Sequence, residues 1–141
     1  MTRIDITPNY SVSGQLLPED MAALTAAGVT TLINNRPDHE VPPELSSATI
    51  RAAAEAAGLT IVDNPVVAQA LGADVGRSQR QALDAASGAV HAYCASGMRS
   101  AVAWALGEAG RMETDDILAA TEKAGFPLGG LRQILTNLNN G

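Results

Sequence analysis

Short β-branched or apolar runs alternate along this chain with longer alanine- and leucine-rich stretches, and glycine or proline marks most of the boundaries. Val29 to Ile33 and Ala89 to Tyr93 are compact runs that predict buried strands, and Leu59 to Val62 predicts a third. Ile4-Asp5-Ile6 and Tyr10-Ser11-Val12-Ser13 predict two more around Thr7-Pro8-Asn9. A helix is expected from Pro18 through Ala27, with proline in its first turn, acids near its positive end and Gly28 as its stop. Further helices are expected over Glu44 to Ala57, Asp74 to Ala86, Ser100 to Ala109, Thr114 to Ala124 and Leu128 to Leu138. Asn34 to Pro43 is a polar loop punctuated by prolines.

Strands separated by helices long enough to act as crossovers predict a single α/β domain over residues 1–141, with a largely parallel sheet flanked by helices. Sites in such sheets form at the carboxyl ends of the strands. Three strands end there in polar groups: Asn34-Asn35-Arg36, Asp63-Asn64 and Cys94. Their convergence predicts one pocket.

Composition narrows the classes. Hydrophobic residues make up 46% of the 141, enough for one core, but aromatics only 3%, so Ala, Leu, Val and Ile must fill it. A formal charge of −6 argues against a nucleic-acid partner. One cysteine excludes an internal disulfide, and His39 and His91 are too far apart in sequence to suggest a metal pair, so neither metal nor cofactor is expected. The N-terminus has no apolar signal region, and no stretch approaches the roughly 20 apolar residues of a membrane span. The expectation is a cytoplasmic protein without membrane contact, in a compartment that keeps a thiol reduced.

That thiol carries the chemistry. In Tyr93-Cys94-Ala95-Ser96-Gly97-Met98-Arg99-Ser100 a strand runs through a tight turn into an apolar helix. Unpaired backbone amides at the turn, the positive helix end and Arg99 would favour a thiolate over a free thiol, whose pKa is about 8.5. Cys94, Arg99 and Ser100 are the catalytic candidates, with Ser100 donating to the thiolate or capping the helix, and Ala95, Ser96, Gly97 and Met98 form an anion-binding loop. Arg36, Asp38 and Asp63 are candidates for the pocket or a general acid. Each has a plainer reading beside it. A lone cysteine at a strand end is commonly a small core hydrophobe. Arg36 could pair with Asp38 or Glu40, and both aspartates could be turn residues.

The motifs Val12-Ser13-Gly14-Gln15-Leu16, Ile33-Asn34-Asn35-Arg36-Pro37-Asp38 and Tyr93-Cys94-x-Ser96-Gly97-x-Arg99-Ser100, in this order, resemble the phosphatase-like domain of the beta-lactamase-hydrolase-like family. The resemblance runs from about Ile4 to Leu138. It implies a protein-tyrosine-phosphatase-like fold, a mostly parallel sheet of four to five strands with the cysteine loop at a helix N-terminus. It also implies relatives fused to metallo-beta-lactamase-like domains, so a separate partner of that kind, supplying or consuming the sulfur, is one expectation. Working tyrosine and dual-specificity phosphatases use His-Cys-x5-Arg. Here Tyr93 replaces the histidine, and four residues separate Cys94 from Arg99, as in the Cys-x-x-Gly-x-Arg loop of rhodanese-like sulfurtransferases.

A shorter loop makes a tighter ring of amides, sized to one sulfane sulfur better than to a phosphoryl group with three equatorial oxygens. The stretch where related phosphatases carry their general acid, Asn64-Pro65-Val66-Val67-Ala68-Gln69-Ala70, has no acid. The sequence therefore favours sulfur transfer through a Cys94 persulfide on a small anionic or sulfane-sulfur substrate. The alternatives are phosphomonoester hydrolysis through a cysteinyl-phosphate, and a non-catalytic module binding an anion or a partner. A Cys94 sealed among aliphatic side chains, with Arg99 turned to bulk water, would exclude catalysis.

Overall fold

The computed structural model describes residues 1–67 and 71–140; Ala68, Gln69 and Ala70 of the acid-free stretch lie outside the described residues. The strands are β1 (Ile4–Thr7), β2 (Tyr10–Ser13), β3 (Val29–Asn34), β4 (Thr60–Asp63) and β5 (Ala89–Tyr93). The helices are α1 (Met21–Ala26), α2 (Ser47–Ala56), α3 (Ala73–Ala85), α4 (Met98–Glu108), α5 (Thr114–Lys123) and α6 (Arg132–Asn140). The five strands form one sheet in the order β1-β2-β5-β3-β4. The β1–β2 hairpin is antiparallel and every other pairing is parallel. This is the expected architecture.

Strand alternation sorts the core into two layers. Val12, Ile33, Val90 and Ala92 pack with Ala101, Trp104, Ile117 and Leu135 on one face, under α3 to α6. Leu32, Ile61 and Tyr93 pack with Leu16, Leu24, Ile50 and Ala54 on the other, under α1 and α2. Eight consecutive residues of α4, Ser100 to Gly107, are buried, so this helix is the centre of its layer. It reaches α3 where two glycines cross. A β-carbon on Gly76 would lie 2.6 Å from the Leu106 carbonyl carbon, and one on Gly107 would lie 2.9 Å from the Gly76 oxygen.

Boundaries differ from expectation where a polar group takes a helix start. The helix expected from Glu44 begins at Ser47, because the Ser46 hydroxyl accepts from the Thr49 amide and leaves Pro43–Leu45 as a separate 3-10 turn. Pro18–Asp20 and Gly129–Leu131 are likewise 3-10 turns ahead of α1 and α6. The helix expected from Ser100 begins two residues earlier, at Met98.

Candidate active site

β5 ends at Tyr93, and the cysteine loop follows directly, with Gly97 capping α4. Gly97 has φ +98°, the left-handed region that disfavours a β-carbon, and a β-carbon there would also meet the Phe126 ring at 3.3 Å. This fits the role read for it from sequence. The Gly97 amide donates to Cys94 Sγ at 3.1 Å. Two other loop amides are committed elsewhere: Cys94 N donates to the Ser13 carbonyl at 3.3 Å and Met98 N to Ser96 Oγ at 3.4 Å. The hairpin crowds the loop, since a β-carbon on Gly14 would lie 2.8 Å from the Ala95 oxygen.

The expected convergence of strand ends occurs, as a buried chain of hydrogen bonds in place of an open cup. Asn64 Nδ2 donates to Asn35 Oδ1 at 3.1 Å, and Asn35 Nδ2 donates to Ser100 Oγ at 3.0 Å. The Tyr10 hydroxyl donates to the Ser100 carbonyl at 2.9 Å and accepts from Gln79 Nε2 at 2.6 Å. Burial, and then the charge of Cys94, push the Tyr10 pKa well above its usual value, so the phenol stays neutral. Trp104 is core, as expected, stacked on Tyr10 at 6.3 Å. His91 lies on the same strand face as Tyr93, bonded at 2.8 Å to Ser11 through Nδ1 and to Ser13 through Nε2.

Several assigned roles change. Ser100 neither caps α4, which Gly97 does, nor, among the described residues, bonds the sulfur; its Oγ accepts from Asn35 Nδ2. Asp38 accepts from the Ser47 amide at 2.7 Å and its hydroxyl at 3.0 Å, where it steadies the positive start of α2. Asp63 pairs with Arg51 at 2.8 Å. Both carboxylates are thus engaged as acceptors. Arg36 makes the ion pair of its plainer reading, donating to Glu40 Oε1 at 3.3 Å, donates to Gln15 Oε1 at 3.0 Å, and also lines a recess with Asp38 and Asp63. Asn34, Ser47 and Pro65 also line this recess, of about 180 Å³.

The residue that the sequence did not assign to the site is Glu40. Its carboxylate receives Arg99 Nη1 at 2.8 Å and Nη2 at 2.7 Å, while Nη1 also donates to the Val66 carbonyl at 2.9 Å. Arg99, mainly through its hydrogen bond, holds the Glu40 carboxyl below its ordinary pKa. Arg99 in turn is raised, by Glu40 first and also by the nearby Cys94. Cys94 has 0% exposure, but it is not sealed by aliphatics alone, and the Arg99 side chain, 17% exposed, is not turned to bulk water. The pairing spans 59 residues, so no local pattern announces it. The available signal was an acid in the proline-bounded loop at the carboxyl end of β3.

Among the described residues no cluster of three or more His, Cys, Asp or Glu could hold a metal ion, and no helix is long and apolar enough to cross a membrane. Comparison with known proteins places these features. The beta-lactamase hydrolase-like protein of Xylella fastidiosa is 34% identical over 132 residues, covering 92% of this chain. The chain spans only 30% of that protein's length. A crystal structure of a candidate phosphatase from Neisseria meningitidis superposes with a TM-score of 0.82 at 30% identity, covering 96% of each chain. P. aeruginosa TpbA in complex with pTyr shares the fold, with a TM-score of 0.63 at 17% identity over 96% of this chain and 90% of that one. Residues 3–111 match the family described as the phosphatase-like domain of beta-lactamase hydrolase-like proteins, and the chain belongs to that family.

Proposed function

We propose that Cys94 is the nucleophile of a sulfurtransferase that carries a sulfane sulfur as a persulfide. The observation that carries this reading is the short Cys94-x4-Arg99 loop, with one amide on Sγ and two others committed to Ser13 and Ser96. A loop one residue shorter than Cys-x5-Arg makes a tighter ring, which suits a single added sulfur better than three phosphoryl oxygens. Cys94 thiolate attacks the outer sulfur of a donor R–S–SH; the new S–S bond forms as the donor's S–S bond breaks and RS⁻ leaves. An acceptor thiolate then attacks the outer sulfur, giving R′–S–SH and restoring the Cys94 thiolate. Neither step needs a protonated carboxyl, in keeping with Asp38 and Asp63 being engaged elsewhere and Glu40 being ionised. The Xylella relative is about three times longer than the matched region, and a metallo-beta-lactamase-like partner is the proposed source or consumer of the sulfur.

A second reading, phosphomonoester hydrolysis through a cysteinyl-phosphate, is favoured by the likeness to the Neisseria candidate phosphatase. Mass spectrometry separates the two. After exposure to glutathione persulfide, the protein is expected to gain one sulfur atom, and Cys94→Ser none. Rapid turnover of an aryl phosphate, abolished by Cys94→Ser and without any sulfur uptake, would establish the second reading instead. Failure of both, with slow alkylation of Cys94 at neutral pH, would leave a binding module.

A further inference from the structure

Glu40 puts a carboxylate on the anion cradle that sulfur transfer itself does not require. Its two oxygens meet Nη1 and Nη2 of Arg99 at 2.8 and 2.7 Å, the two-pronged grip a guanidinium gives to a carboxylate or to a phosphate. The side chain is only 26% exposed and is steadied by Arg36 Nε at 3.3 Å. Arg36 cannot easily abandon it, because its Nη1 is held by Gln15 and its Nη2 donates to the Glu40 carbonyl at 3.3 Å. The segment is pinned at both sides, by the Arg36 amide on Asn34 Oδ1 at 2.9 Å and by Asp38 on Ser47. Glu40 thus occupies the donors that the oxygens of a bound oxyanion would use.

We infer that Glu40 is a specificity-determining residue, whose carboxylate stands in for oxyanion oxygens on Arg99 so that the site refuses sulfonate- or phosphoryl-bearing donors and accepts organic persulfides. The inference rests on the sulfur-transfer reading and narrows its donor class. Thiosulfate presents three oxygens and two negative charges around the sulfur that must leave as sulfite. To bind, it must break the charge-assisted pair on Arg99 and then face the displaced carboxylate. A persulfide presents one oxygen-free sulfur. Its attack by Cys94 forms one S–S bond, breaks another and releases RS⁻, with no net oxidation.

The test compares glutathione persulfide with thiosulfate as donors to the full chain and to Glu40→Gln, reading sulfur loading by mass. The unsubstituted protein is expected to load from the persulfide at least about tenfold faster, a difference of about 1.4 kcal/mol. In Glu40→Gln that ratio should fall about tenfold through a gain with thiosulfate, and inorganic phosphate should become a competitor of loading. An unchanged ratio in a folded Glu40→Gln protein overturns the inference. So does equal loading of the unsubstituted chain from both donors, which needs no variant. Either result leaves sulfur transfer standing, whereas no loading from either donor removes the sulfur reading itself.

Discussion

The two ends of α4 are each gripped by an arginine, and the grips differ in kind. At the C-terminal end Arg80 of α3 donates through Nε to the Gly107 carbonyl and through Nη2 to the Ala109 carbonyl, both at 2.6 Å. Those acceptors are backbone groups at a negative helix end, beside the close Gly76–Gly107 crossing. At the N-terminal end Arg99 grips a side chain, Glu40, carried on a separate loop. One arginine is thus satisfied by main-chain carbonyls of its own layer, the other by a side-chain carboxylate that reaches it from 59 residues away in the chain.

Substitutions should break this contrast unequally. Gly76→Ala forces a methyl into Leu106 backbone, and overpacking of this kind should cost about 3 kcal/mol, read as a lower denaturant midpoint. Arg80→Met keeps much of the apolar stem but strands two carbonyls, with an expected loss of about 2 kcal/mol by the same measurement. Neither effect needs the thiol, so both should persist in Cys94→Ser. At the other end, Glu40→Gln should shift stability by less than about 1 kcal/mol while changing donor choice.

Acid probes the sheet beneath the loop. Burial, with a smaller contribution from Arg3, lowers the His91 pKa to about 4. The unfolded chain, with its histidine near 6.5, binds a proton between these values that the folded chain refuses. Stability therefore falls as pH drops through that window, by about 2 kcal/mol between pH 7 and pH 5. Chemical denaturation at the two pH values checks it, and His91→Gln should flatten the slope. The Glu40 carboxyl is held below its ordinary value, chiefly by its hydrogen bond from Arg99. Its ion pair contributes above the usual carboxylate range and is lost only as pH falls through the lowered one.

What could be read from the chain was local or periodic. The strand Ala89–Tyr93 emerged with its exact ends, because an unbroken apolar run between Gly88 and the cysteine loop leaves no other reading. Gly97 was legible because its neighbours demanded a turn into a helix. Pairings across the chain were not. Glu40 and Arg99 meet only after β3 and β5 lie side by side, and Asp38 reaches Ser47 across a segment that holds two prolines, Pro42 and Pro43. Gly76 and Gly107 each look like a weakness in a helix until their mutual contact is seen. The bond from Asn35 Nδ2 to Ser100 Oγ is of the same kind, since Asn35 comes from another strand end.

Complete burial of Cys94 bears on how long the protein keeps its thiol intact. Peroxides and alkylating agents consume cysteines that meet solvent as thiolates, and the higher oxides do not revert unaided. With no exposed surface and the Gly97 amide already on its sulfur, Cys94 is shielded from such attack in this conformation.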